Sequence, residues 1–274
     1  MSDEYRAQEA KETVAICESG FYAAPSGRRV DITDAVKQAR LGTNLYSPQT
    51  LLPKQHTPHR TPARLMVSNE TTFSVLQRSA EDGAHVACLN FASAKNPGGG
   101  FLTGAQAQEE CLARASALYP CLLAAPEYYE RNRVNKSAIY LDLVIFSPRV
   151  PFIRNDAGVL LERPFLASVI TAPAPNAGAV AQSEPRNLSL VAPALRRRAE
   201  FVLEVAAVNK VQRLVLGAWG CGVFRNDPAV VAATFAQLLK PPGRFANVFE
   251  QVLFAVYDRK ESHSTFRAFL SALN

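Results

Sequence analysis

The fold is decided by residues 85–110, which read HVACLNFASAKNPGGGFLTGAQAQEE. The first seven of them form an apolar run with the length and composition of a buried β-strand. Gly98, Gly99 and Gly100 follow, and their missing side chains permit positive φ angles and a close approach of the backbone to a ligand. The chain is predicted to turn helical at Glu109, because carboxylates favour the positive end of the helix dipole. The segment therefore predicts a strand, a glycine loop and a helix in succession.

Strands and helices alternate over most of the remaining chain. The apolar patterns predict strands at 63–67, 85–91, 139–146, 165–171, 213–217 and within 248–257, and helices at 7–18, 71–81, 109–118, 188–208, 228–239 and 264–273. Residues 24–62 are predicted to run over the surface, apart from a short helical interval near 32–40. We expect a single α/β domain over 1–274, with residues 1–62 as an N-terminal helical extension packed on the core. Its mixed, mostly parallel sheet is covered by helices on both faces, and ligand loops follow the carboxyl ends of the strands.

Composition points to a globular, cytoplasmic protein. The 274 residues are 48% hydrophobic, which is enough for a substantial core. No apolar run approaches the roughly 18 residues of a membrane span, and the polar N-terminus does not resemble a signal peptide. The five cysteines contain no Cys-x-x-Cys pair, which argues against a disulfide framework and a zinc site: Cys17, Cys88, Cys111, Cys121 and Cys221. Four histidines also lack metal-ligand spacing, so no metal or cofactor is expected: His56, His59, His85 and His263.

The net charge of +6 comes from 30 basic and 24 acidic residues. Its sign attracts phosphate groups, but it does not choose between DNA, RNA, a nucleotide and another polyanion. The most basic run, Arg196-Arg197-Arg198, lies in a segment with helical apolar spacing. We interpret this run as a solvated helix face rather than a nucleic-acid patch.

A second glycine-rich stretch, LGAWGCGVF at 216–224, follows the predicted strand at 213–217. A turn of this kind offers several backbone N–H groups to a diphosphate, and Phe224 is predicted either to lie against a ribose or to belong to the core. Neither glycine stretch has the spacing of a P-loop or of a dinucleotide-binding fingerprint.

The adjacent acids Glu109 and Glu110 have two explanations. Favourable interaction with the helix dipole, about 0.3–1 kcal/mol, would by itself account for them. The neighbouring Gln108 and the second glycine loop favour a ligand site instead. Two carboxylates beside loops suited to phosphate indicate chemistry on an anionic, sugar-containing substrate.

These motifs together resemble the microbial poly(ADP-ribose) glycohydrolases, which are built on an ADP-ribose-binding macrodomain. The family signature is Gly-Gly-Gly, a spacer of six to eight residues and Gln-Glu-Glu, and residues 98–110 reproduce it with a spacer of seven. The resemblance also covers the N-terminal helix, the loop at 220–224 and the strand at 254–258. The proline-containing insertion at 172–185 is its least supported part.

The resemblance implies roles for individual residues. Glu110 becomes the catalytic acid, and Glu109 holds the ribose hydroxyls next to the scissile bond. Phe224 packs on a ribose, and Tyr257 or Phe254 meets the adenine. The other expected substrate-binding residues lie in the two loops: Asn96, Gly98, Gly99, Gly100, Gln108, Gly220, Cys221, Gly222 and Val223.

The implied reaction is hydrolysis of the ribose–ribose O-glycosidic bond of poly(ADP-ribose), which releases ADP-ribose. Glu110 would protonate the departing 2′-oxygen and then, as a carboxylate, activate water. Glu109 points about 100° away on a helix and suits positioning rather than nucleophilic attack. The helix N-terminus favours a charged Glu110, so we expect the negative charge of bound substrate to keep it protonated.

Three alternatives remain open at this stage. An ADP-ribose reader would use the loops without chemistry, although two carboxylates repel a diphosphate. A hydrolase could remove single ADP-ribose units instead, and spacing does not separate this from the main interpretation. A nucleic-acid binder ranks last because no recognisable motif is present. The expected partners are poly(ADP-ribose), ADP-ribose and poly(ADP-ribosyl)ated proteins, with neither a membrane nor nucleic acid bound directly.

Overall fold

The computed structural model describes residues 2–50 and 58–274, and its core is a seven-stranded sheet flanked by helices. The strands are β1 (Phe21–Ala23), β2 (Arg29–Asp31), β3 (Asn44–Tyr46), β4 (Arg64–Ser68), β5 (Val86–Phe91), β6 (Val144–Arg154), β7 (Leu160–Ala172), β8 (Arg213–Gly217) and β9 (Gln251–Ala255). The helices are α1 (Asp3–Ser19), α2 (Thr33–Leu41), α3 (Thr72–Ser79), α4 (Gln108–Ala115), α5 (Leu118–Leu123), α6 (Pro126–Val134), α7 (Ala177–Ser183), α8 (Val191–Val208), α9 (Pro228–Leu239) and α10 (Ser264–Leu273). Strands β1 and β2 form a separate antiparallel hairpin.

The sheet has the order β3-β6-β7-β5-β8-β9-β4. The five strands from β7 to β4 are mutually parallel, whereas β6 is antiparallel to both β7 and β3. Phe91 lies opposite Ala172, and Ala255 lies opposite both Gly217 and Ser68. The carboxyl ends of all five parallel strands therefore meet at one edge, and the loops that follow them share that edge.

Each face of the sheet has its own hydrophobic core, because side chains alternate along a strand. Cys88 of β5 belongs to one core with Phe152 and Tyr128. Its neighbour Leu89 belongs to the other core with Trp219 and Phe254. The prediction of a mixed, mostly parallel sheet covered on both faces is confirmed.

Most predicted elements are shifted at one or both ends, and two of these differences have an identifiable cause. The predicted strand at 139–146 begins only at Val144, because the buried Arg198 binds the carbonyls of Ile139 and Tyr140, both at 3.0 Å, and so takes the preceding segment out of the sheet. The predicted helix at 109–118 ends at Ala115, where Ser116 adopts an extended backbone and forms a bridge with Phe152.

Several elements were absent from the prediction. Helices α5 and α6 follow α4, and their sequences lack a long apolar period. Helix α7 lies inside the proline-containing insertion at 172–185, and Asn176 caps this helix by accepting the Ala179 N–H at 3.0 Å. A short 3-10 turn over Pro185–Leu190 precedes α8. Part of the predicted surface excursion at 24–62 forms the short strands β2 and β3, and residues 51–57 of it lie outside the described residues.

The N-terminal helix α1 lies against the loop that leads into α4. It ends at Ser19 and is capped by Gly20, which has φ +78°, as the Ser-Gly pair predicts. Arg6 Nε donates to the Gly104 carbonyl at 2.6 Å, and Thr13 Oγ1 donates to the Arg114 carbonyl at 2.8 Å. The approach is so close that a Cβ at Gly104 would lie 2.1 Å from the Asp3 carbonyl oxygen. Helix α1 therefore packs against residues 101–107, the spacer between the three glycines and Gln108-Glu109-Glu110.

Candidate active site

The glycine loop after β5 brings the two acids to one point. Gly99 has φ +60°, and a Cβ built on it would lie 2.3 Å from Glu110 Oε1 and 3.1 Å from Glu109 Oε2. No side chain fits there without displacing a carboxyl group. The glycine is thus required both by its backbone conformation and by the convergence of the acids.

Glu110 is half-buried and is held by the loop that it closes. It is the third residue of α4, and its Oε2 accepts the Ala107 N–H at 3.0 Å. Its Oε1 accepts the Gly100 N–H at 3.1 Å. Each carboxyl oxygen therefore has one backbone donor, which sets the side-chain position before any ligand binds.

Glu109 is only 3% exposed. Its Oε2 accepts the Ser93 N–H at 2.6 Å, and its Oε1 accepts Nδ2 of Asn90 at 3.2 Å. Burial raises the pKa of Glu109 to about 8, and the adjacent Glu110 charge adds to this rise, while the bonds from Ser93 and Asn90 act against it. At neutral pH the buried member of the pair therefore carries a proton.

Three buried polar groups behind Glu109 were not singled out from the sequence. Asn90 Oδ1 and the hydroxyls of Tyr128 and Tyr129 are buried and have no hydrogen-bond partner among residues 2–50 and 58–274. Burial raises the pKa of both phenols well above the usual value, and the Glu109 charge contributes to both shifts. The one sequence signal was a polar residue, Asn90, inside the apolar run of β5.

Gln108 and Asn96 occupy different environments. The Gln108 side chain accepts the Phe91 N–H at 2.8 Å and donates to the Leu89 carbonyl at 2.7 Å and to Thr72 Oγ1 at 3.2 Å. Its amide therefore ties the start of α4 to the end of β5. Asn96 is exposed at the rim of the loop.

The glycine N–H groups of the first loop serve mainly the protein itself. The Gly99 N–H donates to the Asn96 carbonyl at 3.0 Å, and the Gly100 N–H binds Glu110. Gly98 is buried with φ +70°, and a Cβ there would lie 2.9 Å from the Phe101 ring. This loop therefore shapes the carboxyl pair more than it supplies donors to an anion.

The second loop follows β8, the neighbour of β5 in the sheet. Gly220 has φ +72°, and a Cβ there would lie 2.4 Å from the Ala174 Cβ and 2.5 Å from Asn226 Nδ2. Asn226 Nδ2 in turn donates to the Pro175 carbonyl at 2.8 Å. The buried Trp219 donates from Nε1 to the Ala172 carbonyl at 3.1 Å. These contacts fasten the loop to the end of β7.

The tip of this second loop carries the free donors. The Cys221 N–H donates to the Ala218 carbonyl at 3.1 Å, and burial raises the pKa of its thiol to about 12, so this thiol is no nucleophile. The N–H groups of Gly222, Val223 and Phe224 find no acceptor in the part of the chain that the structure describes. Successive free N–H groups of this kind suit an anion. The half-buried Phe224 ring lies 5.9 Å from that of Tyr140, centroid to centroid.

The two aromatic residues expected to contact the adenine differ in burial. Phe254 is fully buried, with ring centroids 5.7 Å from Phe235 and 5.8 Å from Phe269, and belongs to the core. Tyr257 is 53% exposed beyond the end of β9, where Arg259 Nε donates to its hydroxyl at 2.7 Å. The adenine interpretation therefore rests on Tyr257 alone.

In the described part of the chain, no histidine forms a hydrogen bond with Glu109 or Glu110. His85 Nε2 lies 2.9 Å from Ser168 Oγ, and His263 Nδ1 lies 2.9 Å from the Asp258 carbonyl, whereas His56 lies outside the described residues. Among residues 2–50 and 58–274 no three His, Cys, Asp or Glu side chains group as metal ligands. The same residues contain no helix long and apolar enough to cross a membrane.

Comparison with known proteins gives the family. Residues 10–155 match the model of the microbial-type PARG catalytic domain. The poly(ADP-ribose) glycohydrolase of Thermomonospora curvata is 46% identical, with a TM-score of 0.92 over 98% of this chain and 99% of that chain. The Deinococcus radiodurans enzyme, solved with ADP-ribose, is 50% identical, with a TM-score of 0.82 over 89% of this chain and 99% of that chain. No curated protein matches. An α/β sheet with two glycine loops and paired carboxyls at its carboxyl edge is thus the scaffold of a glycohydrolase, and the chain belongs to the microbial-type poly(ADP-ribose) glycohydrolase family.

Proposed function

We infer that this chain hydrolyses the ribose–ribose O-glycosidic bonds of poly(ADP-ribose) and releases ADP-ribose. Its family membership supports this activity. The T. curvata enzyme has been solved with the inhibitor ADP-HPD, at 47% identity, and the D. radiodurans enzyme with ADP-ribose. The observation that carries the proposal is the convergence of two carboxyl groups on Gly99, next to a loop with free N–H donors.

The terminal ADP-ribose unit is proposed to follow the order of the strands. Its adenine contacts Tyr257 after β9, and its diphosphate accepts the free N–H groups of the loop at 222–224 after β8. The ribose next to the scissile bond packs on Phe224 and reaches the carboxyl pair after β5. Strands β9, β8 and β5 are consecutive neighbours, so one extended ligand can meet all three loops.

Glu110 is proposed as the general acid and base. It donates a proton to the departing 2′-oxygen as positive charge develops on the ribose, and its carboxylate then takes a proton from the attacking water. The more exposed position of Glu110 in the pair, together with its two fixed oxygens, supports this choice over the buried Glu109.

Glu109 is proposed to position the ribose hydroxyls. With its pKa raised to about 8, it supplies the pair with one proton in the free protein. The negative charge of a bound diphosphate favours retention of that proton at the moment of cleavage. The pair therefore holds one proton in the free protein. For Glu110 to act as the acid, that proton passes from Glu109 to Glu110 when substrate binds, which leaves Glu109 as a carboxylate towards the ribose hydroxyls.

The test is incubation of poly(ADP-ribose) with the wild-type protein and with Glu110→Gln, followed by chromatography of the products. We expect ADP-ribose from the wild type and a rate lower by about 100-fold or more from the variant, the typical contribution of general acid–base catalysis. An exposed-site variant, Glu81→Gln, is the matched control. Equal release by Glu110→Gln and wild type would exclude the role given to Glu110.

Two parallel measurements, binding of ADP-ribose and incubation with mono-ADP-ribosylated protein, separate the alternatives. Binding of ADP-ribose by the wild type without cleavage of polymer would identify a reader. Release of ADP-ribose only from mono-ADP-ribosylated protein would identify a hydrolase of single units.

We further propose that poly(ADP-ribosyl)ated proteins are the substrates, that the whole chain acts as one domain in the cytoplasm, and that it does not bind nucleic acid directly. The basic run supports the last point, because its three side chains are bound within the protein and Arg198 is fully buried rather than on a solvated helix face. Arg197 and Arg198 both bind Asp142, and Arg196 binds Gln237.

A further inference from the structure

Three cations form a corner beside the glycine loop. Lys95 is exposed within the loop, Arg133 is exposed near the end of α6, and Lys136 follows three residues later. Arg133 Nε donates to the Lys95 carbonyl at 2.9 Å, which fixes the helix end to the loop. In the described residues, none of the three side chains pairs with a carboxylate, whereas the other cation of this helix, Arg131, pairs with Glu127.

The topology places the corner after β5 and towards β7, whereas the proposed adenine contact, Tyr257, follows β9. Lys95 stands two residues after Ser93, whose N–H binds Glu109. The chain beyond α6 runs towards β7, since the Asn176 N–H, just after β7, donates to the Ala138 carbonyl at 2.9 Å. The strands β9, β8, β5 and β7 are successive neighbours, so the corner continues the line from adenine through diphosphate to the cleavage point.

The polymer substrate extends beyond the scissile bond and carries further negative charge on its leaving side. Cleavage separates the terminal unit from the 2′-oxygen of the next adenosine, and that adenosine carries its own diphosphate. The polymer on the leaving side therefore presents a second pair of negative charges beyond the scissile bond. Unpaired lysine and arginine side chains are suited to bind them, Arg133 through paired N–H groups and the lysines as point charges.

We propose that Lys95, Arg133 and Lys136 form a subsite for the diphosphate of the ADP-ribose unit on the leaving side. The proposal rests on the proposed polymer cleavage. Its consequence is that polymer is recognised by this corner, whereas free ADP-ribose, which ends at the cleavage point, is not. Because the three side chains are exposed, their contribution declines with salt.

The test compares a triple variant, Lys95→Gln, Arg133→Gln and Lys136→Gln, with wild type. A control triple, Lys11→Gln, Lys37→Gln and Arg40→Gln, removes the same net charge from exposed positions on α1 and α2. The measurements are kcat/KM on long polymer at low salt and at about 0.5 M salt, the Kd for ADP-ribose by calorimetry, and the melting temperature.

We expect the subsite triple to lose about tenfold in kcat/KM on polymer at low salt, with a smaller loss at high salt and an unchanged Kd for ADP-ribose. The control triple retains the wild-type kcat/KM. Equal kcat/KM in the two triples, with wild type active on polymer, would overturn the subsite alone. A parallel loss of ADP-ribose affinity in the subsite triple would also overturn it. Failure of the wild type to release ADP-ribose from polymer would overturn both the subsite and the proposed function.

Discussion

Replacing Gly99 by alanine tests whether the glycine loop sets the position of the carboxyl pair. The added Cβ would lie 2.3 Å from Glu110 Oε1 and 3.0 Å from its Cδ, whereas ordinary contacts begin at 3.4 Å. The Glu110 carboxyl must therefore move by roughly 1 Å, and a misplacement of this size costs about 100-fold in rate. The alanine would also occupy φ +60°, at a cost of about 1–2 kcal/mol in the free energy of unfolding.

Gly83→Ala separates these two effects. Gly83 has φ +81°, and nothing lies within 4 Å of the Cβ that alanine would add. This variant therefore carries the backbone cost without the clash. We expect Gly83→Ala to lose about 1–2 kcal/mol of unfolding free energy in urea titrations and Gly99→Ala to lose at least as much. Only Gly99→Ala should lose kcat on poly(ADP-ribose).

The assay is release of ADP-ribose measured by chromatography over a range of polymer concentrations, so that kcat and KM are obtained separately. A folded Gly99→Ala protein with the kcat of Gly83→Ala would refute the reasoning. That result would mean that the carboxyl group tolerates the added methyl group, and that its observed position is not the one required for catalysis.

Three further predictions concern the proton, the ribose and the loop support. The Glu109 pKa of about 8 in the folded protein exceeds its ordinary value of 4.5, so between these two pH values the folded state binds one more proton than the unfolded state. The free energy of unfolding should therefore fall by a few kcal/mol as pH rises from about 5 to 8. Urea titrations in which Glu109→Gln shows the same decline would contradict this. Phe224→Ala should weaken ADP-ribose binding by roughly 10–100-fold in calorimetry, while Val223→Ala, at an 83% exposed position, leaves folding stability unchanged. Arg114→Met should lower the free energy of unfolding by about 3 kcal/mol and reduce kcat, because it leaves the buried Glu9 unpaired and removes the donor to the Ala105 carbonyl. A variant with the melting temperature and kcat of the wild type would show that the Arg114–Glu9 pair does not support the loop.

Elements with local boundary signals could be predicted to the residue. Helix α9 begins at Pro228 because Asp227 caps it, accepting the Ala229 N–H at 2.8 Å, and α10 and β8 also have the predicted bounds. A cap, a first-turn proline and a short apolar run each act within a few residues, so the sequence contains all that is needed.

Elements that depend on distant partners could not be predicted in this way. Residues 139–142 have the apolar composition of a strand, yet Arg198, more than fifty positions away, takes two of their carbonyls. Tyr140 adopts φ +62° there, and it contributes the ring that faces Phe224. The residues near 139–142 in the sequence do not indicate that Arg198 will bind their carbonyls.

The motif of three glycines followed by Gln-Glu-Glu, by itself, determined the family, the strand-loop-helix order and the adjacency of the two acids, because these depend on neighbouring residues alone. Only the tertiary structure decided how the acids differ. Burial between the end of β5 and α6 leaves Glu109 with the proton, while Glu110 closes the loop with both oxygens on backbone donors. Desolvation depends on everything that packs around a carboxyl group, and that surrounding comes from segments far apart in the chain.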